Sequence, residues 1–276
     1  MTSPVDVIEV MNDLKDFQRA TAEYAFQRLY GPNPTHRFLV ADEVGLGKTL
    51  VARGVIAKAI DHLRRDGNSR TNIVYVCSNE AIAAQNLKKL NVFDKDAATI
   101  AKRITLLAVA DESEDPLSQE VNFLAITPNT SLNLGNSPGQ FRERALLYAL
   151  LDLITGDGRL QTAGGKRAFY LGINENDANA ARQRLDWYVR LYSKRLVTKP
   201  ELVAKFREAL KQHNRVAREA AEEWTWQSEL KAICDAMSRK RSSYSDVRPR
   251  RNRFIGRMRQ ILAMVSIESL APDLVI

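Results

Sequence analysis

Cysteine and histidine are scarce in this chain: of 276 residues, 2 are Cys and 3 are His. Cys77 and Cys234 lie far apart with no CxxC partner, and His36, His62 and His213 show no ligand spacing. The pattern argues against both a disulfide framework and a structural metal site. Cys77, inside the run Ile73-Val74-Tyr75-Val76-Cys77, reads as a small buried apolar residue. Long hydrophobic runs are missing too, since nothing approaches the roughly 20 apolar residues of a membrane span. The start, Met1-Thr2-Ser3-Pro4-Val5-Asp6, lacks the basic and then apolar order of a secretory signal. These absences predict a cytoplasmic protein that makes no membrane contact.

With 45% hydrophobic and 27% charged residues, the composition is that of a globular protein. Its length is enough for one large or two small domains. The net charge of +8 is unevenly spread. Residues 1–135 hold 15 Lys and Arg against 17 Asp and Glu, whereas residues 136–276 hold 26 against 16. Basic character therefore belongs to the second half, where an acidic partner such as nucleic acid is to be sought.

The most informative segment is Asp42-Glu43-Val44-Gly45-Leu46-Gly47-Lys48-Thr49. An apolar run, Phe38-Leu39-Val40-Ala41, leads into it as a buried strand would, and residues 50–63 leave it with helical periodicity. Gly45 and Gly47 permit a sharp turn that brings backbone N–H groups close to phosphate oxygens. Lys48 supplies a point charge for the outer phosphates, Thr49 a hydroxyl ligand for Mg²⁺, and the following helix a favourable dipole. The segment thus points to ATP with Mg²⁺. It departs from the GxxxxGK[ST] pattern in one place, with Asp42 where the first glycine stands.

The loop resembles that of Swi/Snf-type DNA translocases among the superfamily-two helicases, which carry Asp-Glu-x-Gly-Leu-Gly-Lys-Thr and which this sequence matches at every specified position. The resemblance implies an α/β fold, a RecA-like parallel sheet of the P-loop NTPase kind, with Asp42 through Thr49 holding ATP. It further implies that an upstream glutamine reads adenine. Gln18, in Leu14-Lys15-Asp16-Phe17-Gln18, is the candidate, and Gln27 and Gln85 are the decoys. Ser78 and Asn79 stand where the family's next motif touches the nucleic-acid backbone, although Ser78 or Asn79 would serve equally as a helix N-cap. Thr127, Thr130 and Ser131, in Ile126-Thr127-Pro128-Asn129-Thr130-Ser131-Leu132, resemble a later DNA-contacting motif. The biological setting that the resemblance implies is phage defence or DNA repair.

Strands are predicted at 37–41, 72–77, 104–109 and 121–126, with helices at 14–30, 48–65 and 80–90. From about residue 136 to 265 helical patterns dominate, and this region reads as a basic helical insertion of domain size. A return to the first domain is expected over 266–276, where Pro272 ends a helix and Leu274-Val275-Ile276 starts a strand.

Hydrolysis in this family needs an Asp-Glu pair after the DNA-contacting motif. Asp111-Glu112 precedes that motif and reads better as part of a polar loop. The expected place is immediately past Ile276, so residues 1–276 are expected to be the front of a larger motor whose second RecA-like domain lies in cis. By themselves they are expected to bind ATP weakly without turning it over. Two alternatives stand beside this: a non-catalytic, nucleotide-sensing protein that binds nucleic acid, and a small ATPase using Asp111-Glu112.

The densest cationic stretch is Arg239-Lys240-Arg241 followed by residues 248–259, and a single acid, Asp246, lies between Arg239 and Arg259. Arg250, Arg251 and Arg253 are its candidate phosphate contacts, with double-stranded DNA as the favoured partner. Trp224 and Trp226 are expected to pack rather than to stack on bases. Gly164-Gly165-Lys166-Arg167 is no second phosphate loop, because it has Arg where Ser or Thr is needed. Arg53 is expected to be structural.

Overall fold

The computed structural model describes residues 5–43, 45–92, 98–100, 104–107, 109, 120–126, 138–171, 178–219, 225–238 and 244–276. The chain divides into two compact units. One comprises Met1–Lys102, Glu112–Ser131 and Ala271–Ile276, and the other Arg103–Asp111 and Leu132–Leu270.

The first unit is α/β and carries a parallel sheet. Its described elements are α1 (Val7–Asn12), α2 (Asp16–Tyr30), α3 (Lys48–Arg65), β1 (Thr71–Val76), α4 (Glu80–Leu90), β2 (Ala98–Ile100), β3 (Val121–Ile126) and β4 (Leu274–Val275). The strands run in the order β2-β3-β1-β4, and each pairing is parallel. β3 is buried at all six positions, as its Val-Asn-Phe-Leu-Ala-Ile sequence suits a central parallel strand covered on both faces. Its one amide is satisfied sideways, Asn122 Nδ2 donating to Asn72 Oδ1 at 2.8 Å. Ile56, Ala57, Ala59 and Ile60 of α3 are wholly buried in the same core as Ile73 and Ala125.

β4 joins β1 through bonds that span most of the chain. Asp273 Oδ2 accepts from the Asn72 N–H at 2.8 Å, 201 positions away, and the Ile276 N–H donates to the Val74 carbonyl at 2.8 Å. Tyr30 adds a third tie, its hydroxyl donating to the Asp273 carbonyl at 3.1 Å.

Two expected strands take other forms. Residues 37–41 alternate in burial, with Phe38 and Val40 packed on the core and Leu39 83% exposed, yet they join no ladder. Alternation dictates an extended path, but a strand also needs a neighbour's N–H and C=O groups, and no described strand offers them here. The segment expected as a strand over 104–109 instead opens with the helical turn α5 (Ile104–Leu107). Ile104 is fully buried and Thr105 Oγ1 donates to Glu143 Oε1 at 2.8 Å, so packing overrides β-branched preference. The sheet position beside β3 is taken by β2, which sequence reasoning did not find.

The second unit is helical: α5, α6 (Phe141–Thr155), α7 (Ala163–Tyr170), α8 (Ala178–Val197), α9 (Pro200–Glu219), α10 (Trp226–Ser238) and α11 (Tyr244–Leu270). From Glu143 to Leu151 α6 is buried on every face, the mark of a central helix. It begins with a capping box in which Glu143 accepts from the Gln140 N–H at 2.8 Å. Gly164 lets α7 lie against α10, because a Cβ there would collide with Ser238 Oγ and the Cys234 carbonyl. The Gly-Gly-Lys-Arg run is therefore a helix contact capped by Thr162, whose hydroxyl accepts from the Gly165 N–H at 3.1 Å. Among the described residues no helix is long and apolar enough to cross a membrane.

Candidate nucleotide site

The loop before α3 is built by its two glycines. Gly45 and Gly47 take φ of 95° and 87°, the left-handed region closed at low cost only to glycine. Gly47 is also the N-cap of α3 and offers no capping side chain. The N–H groups of Gly45, Gly47, Lys48 and Thr49 accordingly find no acceptor among the described residues. A Cβ on Gly45 would meet nothing within 4 Å, so there is open space beside the loop. Unpaired N–H donors at the start of an 18-residue helix, next to open space, suit a phosphate group.

Lys48 closes the loop from within. Its Nζ donates to the carbonyls of Asp42 at 2.7 Å and Glu43 at 2.8 Å, while Asp42 Oδ1 accepts from the Glu43 N–H at 3.0 Å. The ammonium is thus held over the loop by two neutral carbonyls, which leave its net charge uncancelled and one of its three N–H donors uncommitted. Thr49, at the first turn, keeps its hydroxyl free of partners among the described residues. Lys48, Thr49 and the loop amides fit a magnesium-bound polyphosphate in donor type. Val44 lies outside the described residues.

Gln18 occupies a different station from the one expected of an adenine reader. It is only 4% exposed, Nε2 donates to the Leu46 carbonyl at 2.9 Å, and Oε1 accepts from the Lys15 N–H at 3.1 Å. Both ends of the amide are committed to the protein, and a Cβ on Gly47 would run into Nε2. The residue fastens α2 to the phosphate loop. Gln27 and Gln85 are exposed elsewhere in the first unit. Arg53 pairs with Asp13 at 3.5 Å, a structural use.

Asn79 is an N-cap, its Oδ1 accepting from the Ala81 N–H at 2.8 Å, and Ser78 is exposed next to it after β1. Because β1, β3 and β4 are parallel, Cys77, Ile126 and Ile276 lie towards one end of the sheet. Thr127, Thr130, Ser131, Asp111, Glu112, Trp224 and Arg239-Lys240-Arg241 lie outside the described residues.

The basic run of the second unit is corrected by its environment. Arg251 is fully buried and donates to the carbonyls of Ala168 and Leu171, the latter at 2.6 Å, so it caps the C-terminal end of α7. It does not face solvent and offers nothing to a phosphate. Arg144 caps the same end through the Phe169 carbonyl at 2.7 Å. Arg259, also buried, donates from Nη2 to both Glu143 oxygens at 3.0 and 2.9 Å. Arg250 forms a bidentate pair with Glu229 at 2.8 and 2.6 Å, which holds its guanidinium above its ordinary pKa. Acids absent from the run in sequence are supplied by other helices. Arg253 remains exposed. Trp226 is buried in the core of this unit.

No protein-family model, curated protein or solved structure matches the chain.

Proposed function

We propose that the first unit binds ATP with Mg²⁺ as the RecA-like, P-loop domain of a superfamily-two DNA translocase of the Swi/Snf-like kind. The single observation that carries the reading is the loop. Its two glycines turn at positive φ, and its N–H groups at the start of α3 lack acceptors among the described residues, beside a lysine and a threonine in the required order. The match at each specified position of Asp-Glu-x-Gly-Leu-Gly-Lys-Thr supports the family. The parallel sheet, with α3 and α4 following the loop and β1, is the kind of scaffold such a loop needs.

In this reading the loop amides and Lys48 hold the phosphates, Thr49 holds Mg²⁺, and Gln18 sets the loop's position from behind. Turnover in the family requires an acidic pair and a second lobe around the bound nucleotide. In the intact motor, opening and closing of two lobes around ATP would drive movement along DNA.

Titration calorimetry of the chain with ATP, with and without Mg²⁺, tests the reading. Binding that is strengthened by Mg²⁺ and lost in Lys48→Ala supports it. Binding of equal strength in Lys48→Ala, or none in the wild type, overturns it.

A further inference from the structure

The outward face of α8 carries an aromatic and cationic ridge that the sequence reading passed over. Gln183, Trp187, Arg190, Lys194 and Val197 recur at helical spacing and share one face, opposite the buried Ala181, Leu185, Tyr192 and Leu196. Trp187 is 60% exposed. It is nevertheless braced, edge-on to Tyr188 at 4.7 Å between ring centroids, and Tyr188 in turn stacks on Tyr192 at 6.0 Å. An indole held in place at a surface, rather than buried, is costly unless something covers it.

Charge says what would cover it. Asp186 is the only acid on α8, and Lys166 holds it at 2.8 Å. Arg182, Arg190 and Lys194 have no carboxylate within ion-pair distance among the described residues. The neighbouring α9 is also rich in cations, but it balances them along its own length with Lys211–Glu208 at 3.1 Å and Arg215–Glu219 at 3.7 Å. The uncompensated charge is concentrated around Trp187, the one tryptophan exposed among the described residues.

We propose that this face of α8 binds single-stranded nucleic acid, with an unpaired base stacked on Trp187 and the adjoining phosphates on Arg190 and Lys194. The lysine lies about 10 Å along the helix axis from the tryptophan, so the cations trail the stacking platform in one direction. A duplex cannot offer the face of a base to a helix surface, whereas every unpaired base has a free π-face. The inference deepens the translocase reading and rests on it for the class of partner, but it uses none of the nucleotide loop.

The test is binding of a fluorescein-labelled oligothymidine of about 12 nucleotides to the full chain, read by anisotropy and by quenching of tryptophan fluorescence. Wild type is expected to bind with quenching. Trp187→Ala is expected to weaken binding about 5- to 150-fold, while Trp187→Phe keeps most of the affinity because a ring remains. Arg190→Ala combined with Lys194→Ala is expected to lower the salt slope by about 1.4, and Lys211→Ala with Arg215→Ala to leave it unchanged. Unchanged melting of Trp187→Ala shows that its loss is local. Equal binding by wild type and Trp187→Ala, no binding at all, or preference for blunt duplex overturns the proposal. A chain that binds ATP but not the oligomer sinks this inference alone, and one that binds the oligomer but not ATP sinks the nucleotide reading alone.

Discussion

Gln18 and Leu46 are joined across 28 positions by a 2.9 Å hydrogen bond from the Gln18 carboxamide to the Leu46 carbonyl, and this bond fixes the glycine loop before α3 to the helix behind it. The amide is buried and both its ends are used, so no near-isostere can replace it. Gln18→Glu puts a charge next to a carbonyl, and Gln18→Ala strands two part-buried partners. Each is expected to cost about 1–3 kcal/mol of stability and to weaken ATP binding, checked by urea unfolding and calorimetry.

The two loop glycines separate strain from collision. Gly45→Ala keeps open space around the new Cβ and meets backbone strain alone, expected at about 1 kcal/mol. Gly47→Ala adds a clash with Gln18 Nε2 to the same strain, so it is expected to unfold at distinctly lower urea and to lose ATP binding altogether. Equal midpoints for the two variants would contradict the role given to Gln18.

Arg259 and Glu143 form an ion pair with side chains 2% and 1% exposed, and Glu143 also serves Thr105 and the Gln140 N–H. Arg259→Leu leaves a buried carboxylate without its main partner and is expected to cost about 3–5 kcal/mol. Glu143→Gln is expected to cost less, because the amide still accepts from Thr105. A double-mutant cycle by denaturant unfolding measures the coupling.

Neighbours on α11 should behave oppositely. Arg251→Met removes a buried cap and is expected to destabilise the chain by several kcal/mol, about 3, without a specific effect on oligonucleotide binding once folding is accounted for. Arg253→Ala, on the exposed side, is expected to leave the melting temperature within the range of ordinary surface changes, about 0.5 kcal/mol.

The cysteines give a chemical readout. Burial pushes the Cys234 thiol up to about 11, whereas Cys77 is half-buried after β1. A disulfide reagent at neutral pH is expected to titrate Cys77 first and Cys234 only on unfolding. The sign of the pH effect follows from the same shift. Below about pH 8.5 the thiol is protonated in both states and contributes nothing. Above that, the unfolded chain releases the proton and the folded chain does not, so stability falls by up to about 1.4 kcal/mol per pH unit until the folded thiol also ionises. Cys234→Ala should flatten this slope.

How much of this was legible beforehand depends on how far each partner lies along the chain. α3, α4 and β3 have the bounds read from the sequence, because caps and periodicity are local signals. Asn79 as an N-cap is equally local. Arg251 and Arg259 of α11 were misread because their partners are distant: Glu143 is 116 positions from Arg259, and the Ala168 carbonyl is 83 from Arg251. A count of acids within the run could not see acids brought by another helix. Gln18 was read as an adenine contact, but its amide donates to the Leu46 carbonyl, which only the fold reveals. The ridge at 183, 187, 190, 194 and 197 is the opposite case, since its spacing was readable and α8 drew no notice beside the denser run on α11.

The pairing of β4 with β1 places a clock in the life of the chain. Asn72 meets Asp273 across 201 positions, and ribosomes add roughly 5–20 residues per second, so β1 emerges about ten to forty seconds before its neighbour exists. Through that interval the helical residues are being made while one edge of β1 stands open to any strand that passes. The hazard is greatest for a nascent chain on a crowded polysome, and whatever shields that edge must act during synthesis, not after release.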